Sequence, residues 1–160
     1  DVLVLVDPNC RPTITPEPDV YRARIERVLR RADIVKVSTE DLAFLRPGES
    51  PMDGAAWAAS LGARAVLVTD GAAPLRVLAG AQVTAVDVAP VQVVDTVGAG
   101  DTFGGATLAC LVAAGVTRAS LHVDAVVRAA RFGTRAAAIV CTRAGADPPT
   151  LAELGGWPAA

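Results

Sequence analysis

The chain has 160 residues, of which 52% are hydrophobic, 20% charged and 4% aromatic, and its formal net charge is −2. This composition excludes a disordered chain, and no basic run is long enough to indicate a nucleic-acid-binding surface. No apolar run reaches the roughly 18 residues that span a bilayer, so we expect neither a nucleic-acid nor a membrane partner. With so few aromatic residues the core must consist of Ala, Val and Leu, which favours a parallel sheet covered by helices.

The first third of the chain predicts strands and helices in alternation. The run DVLVLV predicts a buried strand that stops at Asp7-Pro8-Asn9. Apolar residues at helical spacing then predict a helix from Asp19 to about Arg31, and DIVKV at residues 33–37 predicts a second strand. Ser38 and Thr39 precede acidic residues and an apolar run, so they are candidate N-caps of a second helix.

The middle of the chain continues this alternation and then changes character. Residues 50–62 predict a short helix ended by Gly62, and RAVLVTDG at residues 64–71 predicts a third buried strand. Residues 73–95 are rich in β-branched residues and contain the turn residues Gly80 and Pro90. We therefore expect two or three further strands there, partly antiparallel.

The last third is predicted to be mostly helical. A helix is expected from Asp101 to about Ala114, with Gly115 as its cap. A second, longer helix is expected from about Ser120 and should end before Gly145.

Thr150 and Glu153 form a capping-box pattern, which predicts a last short helix. Strands that alternate with helices through short connections indicate an α/β domain with a mostly parallel sheet. Ligands of such sheets gather at the carboxyl ends of the strands, so the polar residues at the predicted strand ends are candidate site residues. These are Asp7-Pro8-Asn9, Ser38-Thr39, Thr69-Asp70-Gly71 and Gly98-Ala99-Gly100-Asp101.

The cysteines and the histidine give no sign of a metal centre. Cys10, Cys110 and Cys141 lie far apart and form no CxxC motif, which predicts reduced, mostly buried thiols of a cytoplasmic protein. The single histidine, His122, has no partner motif and is expected on a helix surface.

The turn Gly98-Ala99-Gly100 is suited to an anion. Its glycines permit positive φ and close approach of a ligand, and the helix that follows begins with unpaired amides at the positive end of its dipole. Asp101 directly after this turn has two interpretations: it caps the helix, or it is a general base beside amides that stabilise developing charge. No P-loop motif occurs, and Phe103 breaks the Rossmann glycine pattern.

The segment DTVGAGDTF, residues 95–103, resembles the C-terminal signature of the PfkB carbohydrate kinases, the ribokinase-like sugar kinases. DPNCR at residues 7–11 resembles the D-x-N-x-R segment of fructokinases and 2-keto-3-deoxygluconate kinases. ADIVKVSTEDLAFL at 32–45, VLVTDG at 66–71 and RAARFGTRAAAIVCTRAGA at 128–146 resemble further segments of the family in the family's order. The resemblance covers essentially the whole chain and implies a ribokinase-like three-layer α/β/α fold with a mostly parallel sheet.

The resemblance also implies a reaction, in which ATP gives its γ-phosphoryl group to a sugar hydroxyl. It assigns Asp101 as the catalytic base that contacts the substrate. It assigns the amides of Gly98, Ala99 and Gly100 to the anion hole that stabilises the phosphoryl group in transfer.

The remaining implied site residues bind nucleotide, substrate and cations. The resemblance assigns contacts with the nucleotide to Ser38, Thr69, Gly71 and Thr134. Substrate contacts fall on Asn9 and Arg11, where the guanidinium could bind a phosphate or a sugar-acid carboxylate, although a surface arginine after a turn is the alternative. The resemblance assigns Mg²⁺ binding to Asp41 and the binding of a monovalent cation such as K⁺ to Asp95. The implied cofactors are therefore ATP, Mg²⁺ and K⁺.

Three positions depart from the family pattern. Asp41 replaces a glutamate, Pro74 stands where a second glycine is usual, and Thr134 replaces a common asparagine. These departures bear on nucleotide binding more than on the base.

Members of the family are about twice as long as this chain, and their N-terminal half carries most of the sugar pocket and the lid. We therefore interpret residues 1–160 as the C-terminal, nucleotide-binding half, with the N-terminal half and lid missing. The predicted function is an ATP-dependent sugar kinase of fructokinase or 2-keto-3-deoxygluconate kinase type. The alternative is a truncated, non-catalytic nucleotide-binding remnant. The resemblance further implies a homodimer of the full-length protein, formed through the lid, and the sequence does not identify the sugar.

Overall fold

The structure is a computed structural model that describes residues 2–158. The chain divides into two compact units. The sheet unit comprises Val2–Gly71 and Leu75–Ala85, and the helical unit comprises Ala72–Pro74 and the chain from Val86 onward.

The sheet unit contains a five-stranded mixed sheet in the order β1-β2-β3-β4-β5. Strands β1, β2 and β3 are parallel, and β4 runs antiparallel to β3. The α/β class is confirmed, as is the change to antiparallel strands after residue 73. The optional third strand of that region is not formed, since residues 87–98 contain no strand. The strands are β1 (Leu5–Val6), β2 (Ile34–Ser38), β3 (Ala65–Thr69), β4 (Leu75–Ala79) and β5 (Gln82–Val86).

Three helices of the sheet unit pack on one face of the sheet. They are α1 (Pro18–Leu29), α2 (Thr39–Leu45) and α3 (Pro51–Ser60). The buried cluster between these helices and the strands contains Leu29, Leu42, Ala55, Ala58, Val35, Val37, Val66, Val68 and Leu78. Each buried Val or Leu contributes about 1.5–3 kcal/mol, so this cluster fixes the strands whose carboxyl ends carry the candidate site residues.

The helical unit consists of α4 (Ala99–Ala113), α5 (Val123–Val140) and the loops around them. Helix α4 begins two residues earlier than predicted, because Gly98 with φ 78° is its N-cap. Helix α5 is shorter than predicted at both ends, since the exposed His122 is its N-cap and residues 141–146 form a loop.

The predicted last helix at Thr150 is wrong. The capping-box contacts do form: the Thr150 amide donates to Glu153 Oε2 (2.8 Å) and the Glu153 amide to Thr150 Oγ1 (3.4 Å). The chain nevertheless makes only turns there. Gly155 and Gly156 take φ values of 74° and 86°, so helical geometry ends after one turn.

The cysteines are free thiols, as expected: Cys10 and Cys110 are buried and Cys141 is half-buried. Between residues 2 and 158, no helix combines the length and the apolar character needed to cross a membrane.

Candidate active site

The turn before α4 requires glycine at its centre. Gly98 has φ 78° and ψ 0°, a left-handed conformation that L side chains rarely adopt. A Cβ atom at Gly98 would also lie 2.9 Å from the Cβ of Ala146. The turn therefore requires a residue without a side chain at position 98, both for its φ angle and for the space beside Ala146.

The amides of the turn are only partly available to a ligand. The Ala99 amide donates to the carbonyl of Thr96 (3.1 Å), and the Thr102 amide donates to the carbonyl of Gly98 (2.8 Å). Among residues 2–158, the amides of Gly98 and Gly100 have no hydrogen-bond partner. Of the three amides that the sequence predicts in the anion hole, two thus have no partner within residues 2–158, and that of Ala99 is already bound.

Asp101 is the third residue of α4 and is exposed. Its carboxylate takes part in no hydrogen bond or ion pair with the described part of the chain, residues 2–158. The carboxylate thus does not cap α4, which was the simpler of the two interpretations. It remains open to accept a proton from an incoming hydroxyl group.

Asp95 connects the turn to the loop that follows α5. Its Oδ1 accepts a hydrogen bond from the Val97 amide (3.0 Å) and its Oδ2 accepts one from the Gly145 amide (2.9 Å). These two bonds, from Val97 first and Gly145 second, lower the pKa of Asp95. The amides of Val94 and Asp95 also donate to the carbonyl of Cys141, at 2.8 and 3.3 Å. Each carboxylate oxygen keeps a lone pair, so the ionised group could also ligate a monovalent cation.

A cleft of about 480 Å³ lies within the helical unit and includes Gly98 and Asp101 in its lining. Small residues of α4 (Gly105, Ala106 and Ala109) form one wall, and Phe132 of α5 and Trp157 also line the cleft. Few polar groups lie in this lining. A sugar needs several hydrogen-bonding partners for selective binding, so this cleft alone does not select a sugar.

In the sheet unit, the carboxyl ends of β2 and β3 place two predicted nucleotide contacts side by side. Ser38 pairs with Thr69 in the strand register, and the Thr39 hydroxyl donates to Asp70 Oδ1 (3.1 Å). Gly71 follows in an exposed turn with φ 54°, and no atom lies within 4 Å of its missing Cβ. The structure therefore brings the predicted residues Ser38, Thr69 and Gly71 together.

Asp41, the residue predicted to bind Mg²⁺, is buried, with 6% exposure. Its Oδ1 accepts a bond from the Cys10 amide (2.7 Å), and its Oδ2 accepts bonds from the amide (3.0 Å) and hydroxyl (2.8 Å) of Ser38. Residues 2–158 also contain no group of three or more His, Cys, Asp or Glu side chains that could hold a metal ion. The residues present at Asp41 do not fit a magnesium site.

The predicted substrate residues Asn9 and Arg11 lie in the segment after β1 and are exposed. Asn9 has φ 44°, and its amide donates to Asp7 Oδ1 (3.1 Å). The Arg11 guanidinium donates through Nη1 to the carbonyl of Cys10 (3.0 Å). Both side chains line a groove of about 400 Å³ that Arg24 also lines. Within residues 2–158 the Arg11 guanidinium donates only through Nη1, so its Nε and Nη2 donors are open to a ligand.

Thr134, the last predicted nucleotide contact, is buried in α5 with 8% exposure. Its hydroxyl donates to the carbonyl of Arg131 (2.9 Å), so its one donor is used within the helix. Sequence reasoning missed Lys36, which is buried in β2 and pairs with Asp7 at 2.8 Å. The signal was available, because a lysine inside an apolar buried strand needs a charged partner.

Comparison with known proteins identifies relatives for nearly the whole chain. The model of the "pfkB family carbohydrate kinase" matches residues 3–153. The fructokinase of Vibrio alginolyticus is 32% identical over 155 residues, covering 92% of this chain and 48% of the relative. The fructokinase of Klebsiella pneumoniae is 38% identical over 117 residues, covering 71% and 37%. The chain thus spans about half the length, or less, of the curated relatives it matches.

Solved structures match 90–96% of this chain and about half of their own chains. A fructokinase double mutant of Vibrio cholerae O395, in a fructose-, ADP- and potassium-bound form, has a TM-score of 0.80 and 30% identity over 90% of this chain and 46% of its own. Aminoimidazole riboside kinase of Salmonella enterica, complexed with aminoimidazole riboside and an ATP analogue, has a TM-score of 0.83 and 26% identity, covering 96% and 51%. The fructokinase of Xylella fastidiosa with bound ATP has a TM-score of 0.82 and 29% identity, covering 95% and 50%. These neighbours confirm the ribokinase-like fold.

Proposed function

The chain belongs to the pfkB family of carbohydrate kinases, and we propose that it is the nucleotide-binding half of an ATP-dependent sugar kinase of fructokinase type. The observation that carries this proposal is the start of α4. There the exposed carboxylate of Asp101 follows directly on the amides of Gly98 and Gly100, and none of these groups has a partner within residues 2–158.

The proposed chemistry follows from this arrangement. Asp101 accepts the proton of the attacking sugar hydroxyl as the oxygen bonds to the γ-phosphorus of ATP and the bond to the ADP leaving group breaks. The amides of Gly98 and Gly100, at the positive end of the α4 dipole, stabilise the charge of the phosphoryl group in transfer. Asp95 holds the turn in place through its bonds to Val97 and Gly145.

A monovalent-cation site at Asp95 has more support than a Mg²⁺ site at Asp41. A monovalent cation at Asp95 would add positive charge beside the turn, and the Vibrio cholerae fructokinase is a potassium-bound neighbour. Because Asp41 does not fit a magnesium site, we derive no step through Mg²⁺. We propose instead that any Mg²⁺ arrives with the phosphates of ATP, the usual way in which this ion is held in kinases.

The proposed binding residues divide between nucleotide and substrate. Ser38, Thr69 and Gly71 are proposed to contact the nucleotide, as their shared place at the carboxyl ends of β2 and β3 suits a ligand. Asn9 and Arg11 are proposed to contact substrate or phosphate. Thr134 is also proposed to contact the nucleotide, but with less support, because its hydroxyl donates within α5. The two curated relatives named above are fructokinases, which favours fructose over 2-keto-3-deoxygluconate as the acceptor.

A second candidate function is a nucleotide-binding remnant without transferase activity. The observation that favours it is the lining of the cleft in the helical unit, which holds few polar groups for a sugar. Under this alternative the turn before α4 binds phosphate groups, but no sugar is held for Asp101 to act on.

A phosphoryl-transfer assay with the chain, fructose, ATP and Mg²⁺ separates the two functions. A kinase transfers the phosphoryl group, and Asp101→Asn lowers kcat by about 10²–10⁴-fold while ATP binding persists. Asp124→Asn is the matched control, since Asp124 is an exposed aspartate in the first turn of α5. Transfer by the parent would exclude the remnant, and transfer that survives Asp101→Asn would contradict the assigned base. ATP binding without transfer fits both functions, because the cleft of the helical unit alone does not select a sugar.

A further inference from the structure

The segment Asp7–Arg11 carries the proposed substrate residues but has little support from regular structure. It follows β1, which has only two residues, and it contains no helix or strand. Asn9 has φ 44°, a conformation that costs free energy in a residue other than glycine. Contacts outside the segment must therefore hold it in one conformation.

The first such contact is a largely buried ion pair with β2. Lys36 is 5% exposed, and its Nζ lies 2.8 Å from Asp7 Oδ2. The other oxygen of Asp7 accepts the amide of Asn9 at 3.1 Å. A buried ammonium group requires its partner, so Lys36 fixes Asp7, and Asp7 in turn fixes the turn at Asn9.

The second contact is the carboxylate of Asp41. One of its oxygens caps α2 by accepting the amide and hydroxyl of Ser38, and the other accepts the amide of Cys10 at 2.7 Å. Helix α3 begins with the same spacing, Ser50 and Asp53, and within residues 2–158 these two side chains have no third partner. Capping alone therefore does not explain the bond from Asp41 to Cys10.

The third contact comes from α1. The Tyr21 hydroxyl donates to the carbonyl of Pro8 (3.0 Å) and lies 3.8 Å from Cys10 Sγ. Burial raises the pKa of Cys10 to about 11 and that of Tyr21 to about 12, so both groups are neutral in ordinary buffers. The Tyr21 ring also packs against Phe44, with ring centroids 5.7 Å apart.

We propose that Lys36, Asp41 and Tyr21 are positioning residues that together fix the backbone of Asp7–Arg11, and that Asp41 serves this purpose and not metal binding. They hold the segment at three separate points: the carboxylate of Asp7, the amide of Cys10 and the carbonyl of Pro8. The benefit for ligand binding rests on the proposed function, since it requires Asn9 and Arg11 to contact a ligand. The positioning itself does not.

Amide hydrogen exchange of the ligand-free chain, followed by NMR, tests the positioning directly. In Asp41→Asn the side chain has a single acceptor oxygen and cannot serve both Cys10 and Ser38, so exchange at Cys10 should accelerate by about tenfold or more. Lys36→Met should accelerate exchange at Asn9 in the same way. Asp53→Asn, the matched cap control, should leave both rates unchanged. Unchanged rates in Asp41→Asn and Lys36→Met, or equal acceleration in Asp53→Asn, would overturn the proposal.

Alkylation mapped by mass spectrometry shows whether any loosening is local. Cys10 should react faster in the positioning variants, whereas the buried Cys110 of α4 should react as slowly as in the parent. Should Lys36→Met fail to fold, Tyr21→Phe removes only one hydroxyl group and should also accelerate labelling of Cys10. Equal acceleration at Cys10 and Cys110 in every folded variant would mean general destabilisation and would overturn the proposal.

A titration with Mg²⁺ alone tests the second half of the proposal. The amide signals of Cys10 and Ser38 should not move, because the oxygens of Asp41 are already bound. Shifts of these signals in the parent that disappear in Asp41→Asn would show that Asp41 is a metal ligand. None of the three experiments needs ATP or sugar. A failure of the kinase assay would therefore leave them valid, and an active kinase with unchanged exchange rates would refute the positioning alone.

Discussion

The crossing of α4 and α5 depends on the absence of a side chain at Gly133. A Cβ atom there would lie 2.2 Å from Thr107 Oγ1 and 2.8 Å from the carbonyl oxygen of Phe103. The Thr107 side chain is fully buried, and its hydroxyl donates to that same carbonyl at 2.7 Å. Gly133→Ala must therefore push the helices apart and disturb this hydrogen bond.

The expected cost combines three effects. Overpacking costs about 1–3 kcal/mol, and the upper value applies because a backbone carbonyl cannot rotate away. Displacing the Thr107 hydroxyl costs about 1 kcal/mol, whereas the higher helix propensity of alanine returns about 1 kcal/mol. We expect Gly133→Ala to lower the free energy of unfolding by about 3 kcal/mol.

Urea unfolding followed by circular dichroism measures this change. Gly105→Ala is the matched control, because Gly105 lies within α4 and has no atom within 4 Å of its missing Cβ. The control should be neutral or stabilised by up to about 1 kcal/mol. Adding Thr107→Ala to Gly133→Ala should recover part of the loss, since one of the two close contacts disappears. Equal stability of Gly133→Ala and Gly105→Ala would refute this account of the crossing.

Three further predictions concern single side chains. Because the pKa of Asp95 is lowered, its carboxylate stabilises the fold above the ordinary aspartate pKa, and this stabilisation is lost as the pH falls through the pKa of the folded state. Asp95→Asn should therefore be less stable than the parent at neutral pH. In thermal melts the difference in stability between the two should shrink below about pH 4. Ser38→Ala should cost about 1–2 kcal/mol and more than Ser50→Ala in urea unfolding, because Ser38 also bonds the buried Asp41; equal costs would contradict this. Asp101→Asn should change the unfolding free energy by less than about 1 kcal/mol, since its carboxylate has no partner among residues 2–158; a larger loss would show a structural role.

The sequence predicted the elements well wherever local signals act alone. Ser38 was identified as an N-cap candidate from its spacing, and it caps α2. Gly62 follows α3 with φ 120°, as a glycine after a helix end should. The start of α4 was misplaced by two residues, because a glycine N-cap has no side chain to mark the boundary.

The contacts that define the candidate site were harder to predict, since most join residues far apart in the chain. The bond between Asp41 and the Cys10 amide spans 31 residues, and that between Asp95 and the Gly145 amide spans 50. Neither follows from periodicity. Likewise, the hydrogen bond from the Ala99 amide to the Thr96 carbonyl depends on the backbone path of the turn and not on its composition.

The turn before α4 is proposed to be a working phosphate site, and calorimetric titration of the folded chain with Mg²⁺–ATP tests this proposal. The parent should bind. Gly98→Ala should not, because alanine at φ 78° is strained and its Cβ would lie 2.9 Å from that of Ala146. Gly48→Ala is the control, since Gly48 has φ 84° but open space around it, and this variant should bind like the parent. Failure of the folded parent to bind, or undiminished binding by Gly98→Ala, would contradict the account.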